Sequence, residues 1–190
     1  NEYDKMCSSM GAKGSNASTS FDRTDYINNI PAIMLDKWLE LDGERLRKPV
    51  LRLFHTELEA VYEEKNNGLD DDDQKVFETI FANLFLKHNY GLQTTIGTID
   101  HLKNPSLNEI RKYFYANYVP NNMAVILAGD FDPDAAIAKI EKTFAFMQPK
   151  PVANYTYQAE TPISQPVVRE VFGQTTSKVN IAFRMPGAAT

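Results

Sequence analysis

The sequence predicts an α+β fold in which helices pack on one face of a sheet. Several stretches place apolar residues at helical spacing, from Ala32 to His88 and again after Ser106. A polar stretch rich in Ser, Thr and Asn, residues 12–31, has the character of exposed strands, and "MAVILAG" is a short apolar run typical of a buried strand. Helices and strands mixed in this way indicate layered α+β packing.

Composition and charge exclude several classes of function. The 190 residues are 43% hydrophobic and 24% charged, which is ordinary for a globular protein. The net charge of −5 argues against a nucleic-acid partner, and no basic cluster reverses it. The longest apolar run is far too short to cross a bilayer, so no membrane span is predicted here. Cys7 is the single cysteine, which rules out an intrachain disulfide.

The two ends of the chain indicate a piece of a longer protein. "NEYDKMCSSMG" is typical of a helix end closed by Gly11, not of a natural N-terminus, and the chain stops just after a strand pattern. We therefore expect any targeting signal to lie in a missing N-terminal part. The compartment stays open, with a bacterial periplasm or cell envelope as the candidate.

The first half of the chain predicts strands followed by three helices. One or two exposed strands are expected in residues 12–31, and a helix over Ala32–Lys48. A second helix is expected over residues 50–66, ended by "NNG". Four aspartates then precede a third helix over Gln74–His88, where acidic residues favour the positive helix N-terminus.

The second half predicts a loop over residues 89–104 and then a helix opened by a capping box of Ser106 and Glu109. A buried strand, "NNMAVILAGDF", precedes a helix with Asp132 as N-cap and Pro133 at its first position. A proline-rich linker is expected over 148–166, followed by strands in "VVREVFGQ" and "KVNIAFRMP".

Two glutamates stand out on the second helix. At 100° per residue, its apolar residues share one side, and Glu57 and Glu64 fall near the middle of that stripe, one heptad apart. Buried carboxylates are paired with bases, protonated or bound to a metal. The pattern leaves two interpretations open: ion pairs with a neighbouring element, or a metal site with one acid as ligand and the other behind it.

Three stretches, in order, resemble the pitrilysin (insulinase-type) zinc metallopeptidases. "ELEAVYEE", with Glu57 and Glu64, is similar to the family's downstream glutamate segment. "GAKGSNASTSFDRTDYINNIP" resembles its Asn-Ala-x-Thr edge strand, and "YGLQTTIGTIDHLKNPSLNEIRKYFYANYVPNNMAVILAGDFDPD" resembles the later part of its first half-domain. The resemblance implies a partial first half-domain over 1–147, the linker 148–166, and the opening strands of a second half-domain over 167–190.

The resemblance also implies a function and site residues. The family holds Zn²⁺ with two histidines of an inverted His-x-x-Glu-His helix and a downstream glutamate, and a metal-activated water attacks the peptide bond. Glu64 matches the metal ligand, and Glu57 the acid behind the ligands. Backbone groups around Asn16 and Ala17 match the edge that takes a peptide or unfolded polypeptide substrate as an added strand. A generic solvated edge strand is the other interpretation of "SNAST".

The chain departs from the family at one point: His-x-x-Glu-His does not occur in its 190 residues. We expect that motif upstream of Asn1, so this piece alone is expected to be inactive, and pairing with another half-domain or family subunit is expected. A noncatalytic homologue that binds peptides or supports a partner subunit is the alternative. In a third interpretation Glu57 and Glu64 form ordinary ion pairs and the function stays unassigned.

Overall fold

The computed structural model of the chain describes residues 2–187. Its secondary structure, in chain order, is α1 (Glu2–Ser9), β1 (Gly14–Thr19), β2 (Thr24–Asn29), α2 (Leu35–Arg47), α3 (Phe54–Asp70), α4 (Asp72–Leu84), α5 (Asn89–Leu92), α6 (Ile99–Lys103), α7 (Leu107–Asn117) and α8 (Pro133–Phe144). Helices together with a two-stranded sheet confirm the predicted α+β class. Within the described residues, no helix is both long and apolar enough to span a bilayer.

The chain divides into two compact units. The first contains residues 2–52 and 106–153, and the second contains 53–105 and 154–187. Each unit therefore combines two separate stretches of sequence. The predicted domain boundaries at 147 and 166 stay predictions.

In the first unit, α1 is followed by an antiparallel hairpin, where one or two exposed strands were predicted. Gly11 ends α1 with a left-handed backbone (φ 81°), a conformation that glycine adopts without steric cost. β1 and β2 then pair antiparallel, with Gly14 opposite Asn29 and Thr19 opposite Thr24. Every residue of β1 is exposed, which confirms the prediction of exposed strands.

The same unit packs α2 against α8. Leu39 of α2 is 1% exposed and is the largest fully buried side chain of the described residues. Gly43, one turn further, allows close approach, because a Cβ there would lie 2.7 Å from Cγ2 of Thr143. Asp132 caps α8 as predicted, since its Oδ1 accepts the Ala135 N–H at 2.7 Å.

In the second unit, α3 and α4 pack together and α4 carries an aromatic row. The rings of Phe77 and Phe81 lie 4.3 Å apart, and those of Phe81 and Phe85 lie 5.7 Å apart. Carboxylates attach the segment 154–187 to the start of α4 and to the residues that follow its end. Glu160 accepts the N–H groups of Lys87 and His88 at 2.6 and 2.8 Å.

Three predicted strands are absent from the described residues. "NNMAVILAGDF" forms no strand, and Ile126 is 88% exposed. "VVREVFGQ" and "KVNIAFRMP" also lack strand pairing, with Val179 91% exposed. A strand needs a neighbour that accepts and donates its ladder hydrogen bonds, and β1 and β2 pair only with each other. The prediction of these strands was wrong for the described residues.

Helix boundaries differ from the predictions in the middle of the chain. The predicted helix 50–66 begins at Phe54 and continues through "NNG" to Asp70. Leu53 precedes it with a left-handed backbone (φ 55°), which stops the helix from starting at Val50. The expected loop 89–104 contains the short helices α5 and α6, and α6 is opened by a capping box of Thr98 and His101.

The predicted capping box of α7 forms in part. Oγ of Ser106 accepts the Glu109 N–H at 3.4 Å. The Glu109 carboxylate pairs with Lys112 at 2.6 Å. An exposed i, i+3 ion pair of this kind holds the glutamate away from the helix start.

Candidate functional site

Helix α3 turns one narrow face toward its unit. Phe54, Leu58 and Val61 are half-buried along this face, and Lys65 is buried at 8% exposure. These positions follow the spacing i, i+4, i+7, i+11 of a single helical stripe. Nζ of Lys65 lies 3.5 Å from Oε1 of Glu78 on α4, which compensates its charge.

Glu57 and Glu64 are exposed, so the expectation that the helix buries them was wrong for this chain. Because Val50 and Leu53 lie outside α3, the centre of the stripe moves toward Phe54. On a helical wheel, Glu57 and Glu64 then lie roughly 60° and 80° to one side of Phe54. Both carboxylates therefore project from the same edge of the half-buried face.

The carboxylate of neither glutamate has a hydrogen bond or an ion pair within residues 2–187. The interpretation as ordinary ion pairs requires a lysine or arginine bonded to these acids. The described part of the chain supplies none, so both carboxylates are available to a ligand from outside it.

The described residues do not by themselves fit a zinc ion. No group of three or more His, Cys, Asp or Glu side chains in residues 2–187 lies close enough together to hold a metal. Nδ1 of His88 accepts the Tyr90 N–H at 3.2 Å, and Nδ1 of His101 accepts the Thr98 N–H at 3.3 Å. One exposed glutamate is a single zinc ligand, and a protein zinc site requires three or four.

Within residues 2–187, β1 pairs with β2 alone, so its other edge is open. Ser20 N donates to Arg23 O at 2.8 Å, so this pair is a hydrogen-bonded one, and by alternation the pair Ala17–Tyr26 is not. The backbone N–H and C=O of Ala17 therefore point away from β2, into the open edge. Oδ1 of Asn16 accepts that N–H at 2.9 Å.

A polar cluster beneath the hairpin was not predicted from the sequence. Asp42 is 5% exposed, and its Oδ1 accepts from Nε and Nη2 of Arg45 at 2.8 and 2.7 Å. Tyr3 donates to the same oxygen at 3.2 Å. Burial raises the pKa of Asp42, and the Arg45 guanidinium opposes this.

The spacing of Asp42 and Arg45, at i and i+3 on a helix, was the signal that could have revealed an ion pair. This spacing did not indicate that Asp42 would be buried. An aspartate three residues after Leu39 lies on the same helix face, and that face becomes interior only when α1, β2 and α8 cover it.

Comparison with known proteins places the chain in context. Residues 105–190 match the family model described as "Peptidase M16 inactive domain". The zinc protease PqqE of Helicobacter pylori is 32% identical over 146 residues, which is 75% of this chain and 32% of that protein. The uncharacterized zinc protease YmfH of Bacillus subtilis is 26% identical over 139 residues, 71% of this chain and 31% of that protein.

Two solved protease structures are also similar to this chain. A protease from Helicobacter pylori superposes with a TM-score of 0.73 at 30% identity, covering 80% of this chain and 38% of that one. The first half of the periplasmic protease PqqL from Escherichia coli gives a TM-score of 0.67 and covers 80% of this chain and 34% of that one. At 22% identity, the second likeness shows the fold alone.

These matches confirm the resemblance to the pitrilysin-type, or M16, peptidases that is seen in the three motifs. The curated relatives of this chain are named zinc proteases. The chain spans about a third of the length of the curated relatives it matches.

Proposed function

We propose that this chain is part of a zinc-dependent endopeptidase that hydrolyses peptides or unfolded polypeptides. The observation that carries the proposal is the pair of exposed, unpartnered carboxylates on one edge of α3, within the segment that matches the family's glutamate helix. In this proposal Glu64 is one zinc ligand. The other ligands and the general base come from a His-x-x-Glu-His segment outside these 190 residues, so the piece alone is inactive.

Glu57 has a separate role in the proposal. Seven residues along a helix correspond to about 10 Å, so Glu57 and Glu64 do not bind one ion side by side. Glu57 instead accepts a hydrogen bond from a ligating histidine, which fixes the orientation of that ring. The shared edge of α3 supports this division, because both side chains project in the same direction.

The β1 edge is the proposed substrate site. The outward N–H and C=O of Ala17 can pair with an extended peptide, as in other strand-addition complexes. The Asn16 carboxamide, which now accepts the Ala17 N–H, would leave that group when a peptide pairs with it. Because strand addition uses backbone groups, we expect broad sequence preference.

A noncatalytic homologue is the second candidate. The family model over residues 105–190 is described as an inactive domain, and this favours a peptide-binding or partner-supporting role for that part. The Escherichia coli neighbour is the first half of its protease, which supports pairing of this chain with another half-domain. Because that protease is periplasmic, a bacterial periplasm or cell envelope is our proposal for this protein.

The test is zinc content, by elemental analysis, of the full-length protein after stripping and reloading. We expect about one zinc per chain in the parent, and an affinity reduced about 10- to 100-fold or more in Glu64→Gln and in Glu57→Gln. Glu63→Gln is the matched control, because Glu63 is exposed on the opposite side of α3. No zinc in the parent, or equal loading of all four proteins, would refute the assignment and favour the noncatalytic role.

A further inference from the structure

The ion pair of Asp42 and Arg45 reaches beyond its own helix. The Arg45 guanidinium carbon lies 5.0 Å from the ring centroid of Tyr3 and 4.5 Å from that of Tyr26. Arg45 thus stands between an aromatic ring of α1 and one of β2 while it is bonded to Asp42 of α2. A planar guanidinium can stack on rings and bind a carboxylate at the same time.

The same cluster holds β2 at a second point. Nδ2 of Asn28 donates to the Tyr3 hydroxyl at 3.0 Å, and that hydroxyl donates to Asp42. The Tyr26 hydroxyl lies 2.6 Å from that of Tyr118, at the end of α7. Tyr26 and Asn28 are two residues apart, so their side chains leave the strand on the same side.

The pairing of β2 with β1 links these contacts to the open edge of β1. Tyr26 lies opposite Ala17 and Asn28 lies opposite Ser15, both in pairs whose backbone groups do not bond across the hairpin. Ser15 and Ala17 are therefore two of the three β1 residues whose backbone faces outward, and Thr19 is the third. Tyr26 and Asn28, the two β2 residues that the cluster contacts, lie directly opposite two of the three β1 residues that an added peptide would bond.

We propose that Arg45 is a positioning residue for peptide binding: through Tyr26 it sets the place of the β1 edge that receives the substrate strand. This inference rests on the proposed function of that edge. It extends the function to a residue that contacts neither the peptide nor a metal ligand. Asp42 fixes Arg45 by its two short contacts, and Tyr3 links Asp42 to the second β2 residue that the cluster contacts, Asn28.

The chain offers a matched control on the same helix. Arg47, two residues later, also stacks on an aromatic ring, with its guanidinium carbon 4.4 Å from the centroid of Phe146. It pairs with Glu44 at 3.9 Å, and within residues 2–187 it has no hydrogen bond, ion pair or ring contact with the hairpin. Arg47→Ala therefore removes the same kinds of interaction without touching the strand edge.

The experiment measures hydrolysis of an internally quenched, unstructured peptide by the full-length, zinc-loaded protein, together with hydrogen exchange of the amides of residues 14–29. For Arg45→Ala we expect KM to rise about ten-fold with kcat within about two-fold, since weaker strand addition removes uniform binding. Arg45→Lys, which keeps the charge but not the planar fork, should fall between parent and Arg45→Ala. Arg47→Ala should match the parent in both constants.

The exchange measurement separates the two hypotheses. Faster exchange across 14–29 in Arg45→Ala, with Arg47→Ala unchanged, supports positioning even if the parent hydrolyses no peptide, an outcome that would overturn the proposed function alone. Unchanged exchange and unchanged KM in an active Arg45→Ala overturn the positioning role and leave the peptidase proposal standing. A fall in kcat alone, in proportion to lost folded protein, would mark Arg45 as merely structural and also overturn the inference.

Discussion

The buried ammonium of Lys65 provides a direct test of how α3 is oriented. Its side chain is 10% exposed, and its partner Glu78 is 31% exposed. At 3.5 Å and an effective dielectric constant near 20, the attraction between the two charges is about 5 kcal/mol before solvation is considered. Most of this attraction offsets the free-energy cost of removing the Lys65 ammonium from water. The difference between the two energies determines how much a mutation changes stability.

Removing Glu78 leaves the lysine charge buried and uncompensated. We therefore expect Glu78→Ala to lower the free energy of unfolding by about 2 kcal/mol. Lys65→Met keeps an apolar stem of similar shape, and it leaves a half-exposed carboxylate that still accepts from Gln74 at 2.9 Å. Its cost should be under about 1 kcal/mol, and adding Lys65→Met to Glu78→Ala should recover most of the stability.

Urea unfolding of the chain, followed by circular dichroism, measures these differences as shifts of the midpoint at constant slope. Glu63→Ala serves as the control, because an exposed residue of the same helix should cost no more than about 0.5 kcal/mol. If Glu78→Ala unfolds at the same urea concentration as Glu63→Ala, Lys65 does not turn inward. The position of Glu57 and Glu64 at the edge of the buried face would then be wrong as well.

Two further predictions concern pH. Asp72 accepts the N–H groups of Thr175 and Gln174 at 2.9 and 2.7 Å. The bond from Thr175, the bond from Lys75 and then that from Gln174 hold the pKa of the Asp72 carboxyl well below the usual range. Attachment of residues 173–178 to α4 should therefore be complete above about pH 4 and lost as the pH falls further. Amide hydrogen exchange of Gln174 and Thr175 will detect this loss, and Asp72→Asn should abolish the pH dependence. Burial raises the pKa of Tyr118 above its ordinary value. The contribution of Tyr118 to stability is therefore intact below about pH 10 and is lost as the pH rises through the folded-state pKa. Tyr118→Phe should make alkaline unfolding, followed by fluorescence, less steep, and an unchanged slope would contradict the burial of that hydroxyl.

Local sequence signals determined the features that depend on neighbouring residues. Gly11 ends α1 because glycine adopts a positive φ, and Asp132 with Pro133 starts α8 because an acceptor and a preset φ satisfy a helix N-terminus. The motif order around Ala17 and Glu64 was also sufficient to predict the resemblance to a peptidase family, which the comparisons confirm. None of this required knowing which parts of the chain meet.

The strands after α7 show where local signals were insufficient. Residues 123–128 and 178–186 have the composition of strands, but a strand exists only when another backbone completes its ladder. The composition of a segment indicates its tendency to be extended, but it does not specify which other segment will pair with it.

The face of α3 was decided by tertiary structure for a related reason. A wheel drawn from Val50 infers the buried direction from the positions of the apolar residues. Val50 and Leu53 lie outside the helix, and including them was enough to turn the inferred direction toward Glu57 and Glu64. The structure buries Lys65 instead, because Glu78 of α4 is within reach to compensate its charge. In the same way, Asp42 becomes buried beside a half-buried Arg45, and the pair contacts β2, only once α1, α2 and the hairpin come together. The sequence by itself determined the end of α1 at Gly11, the start of α8 at Asp132, the exposed strands and the likeness to a peptidase family. Long-range packing decided which charges are buried and which carboxylates stay free.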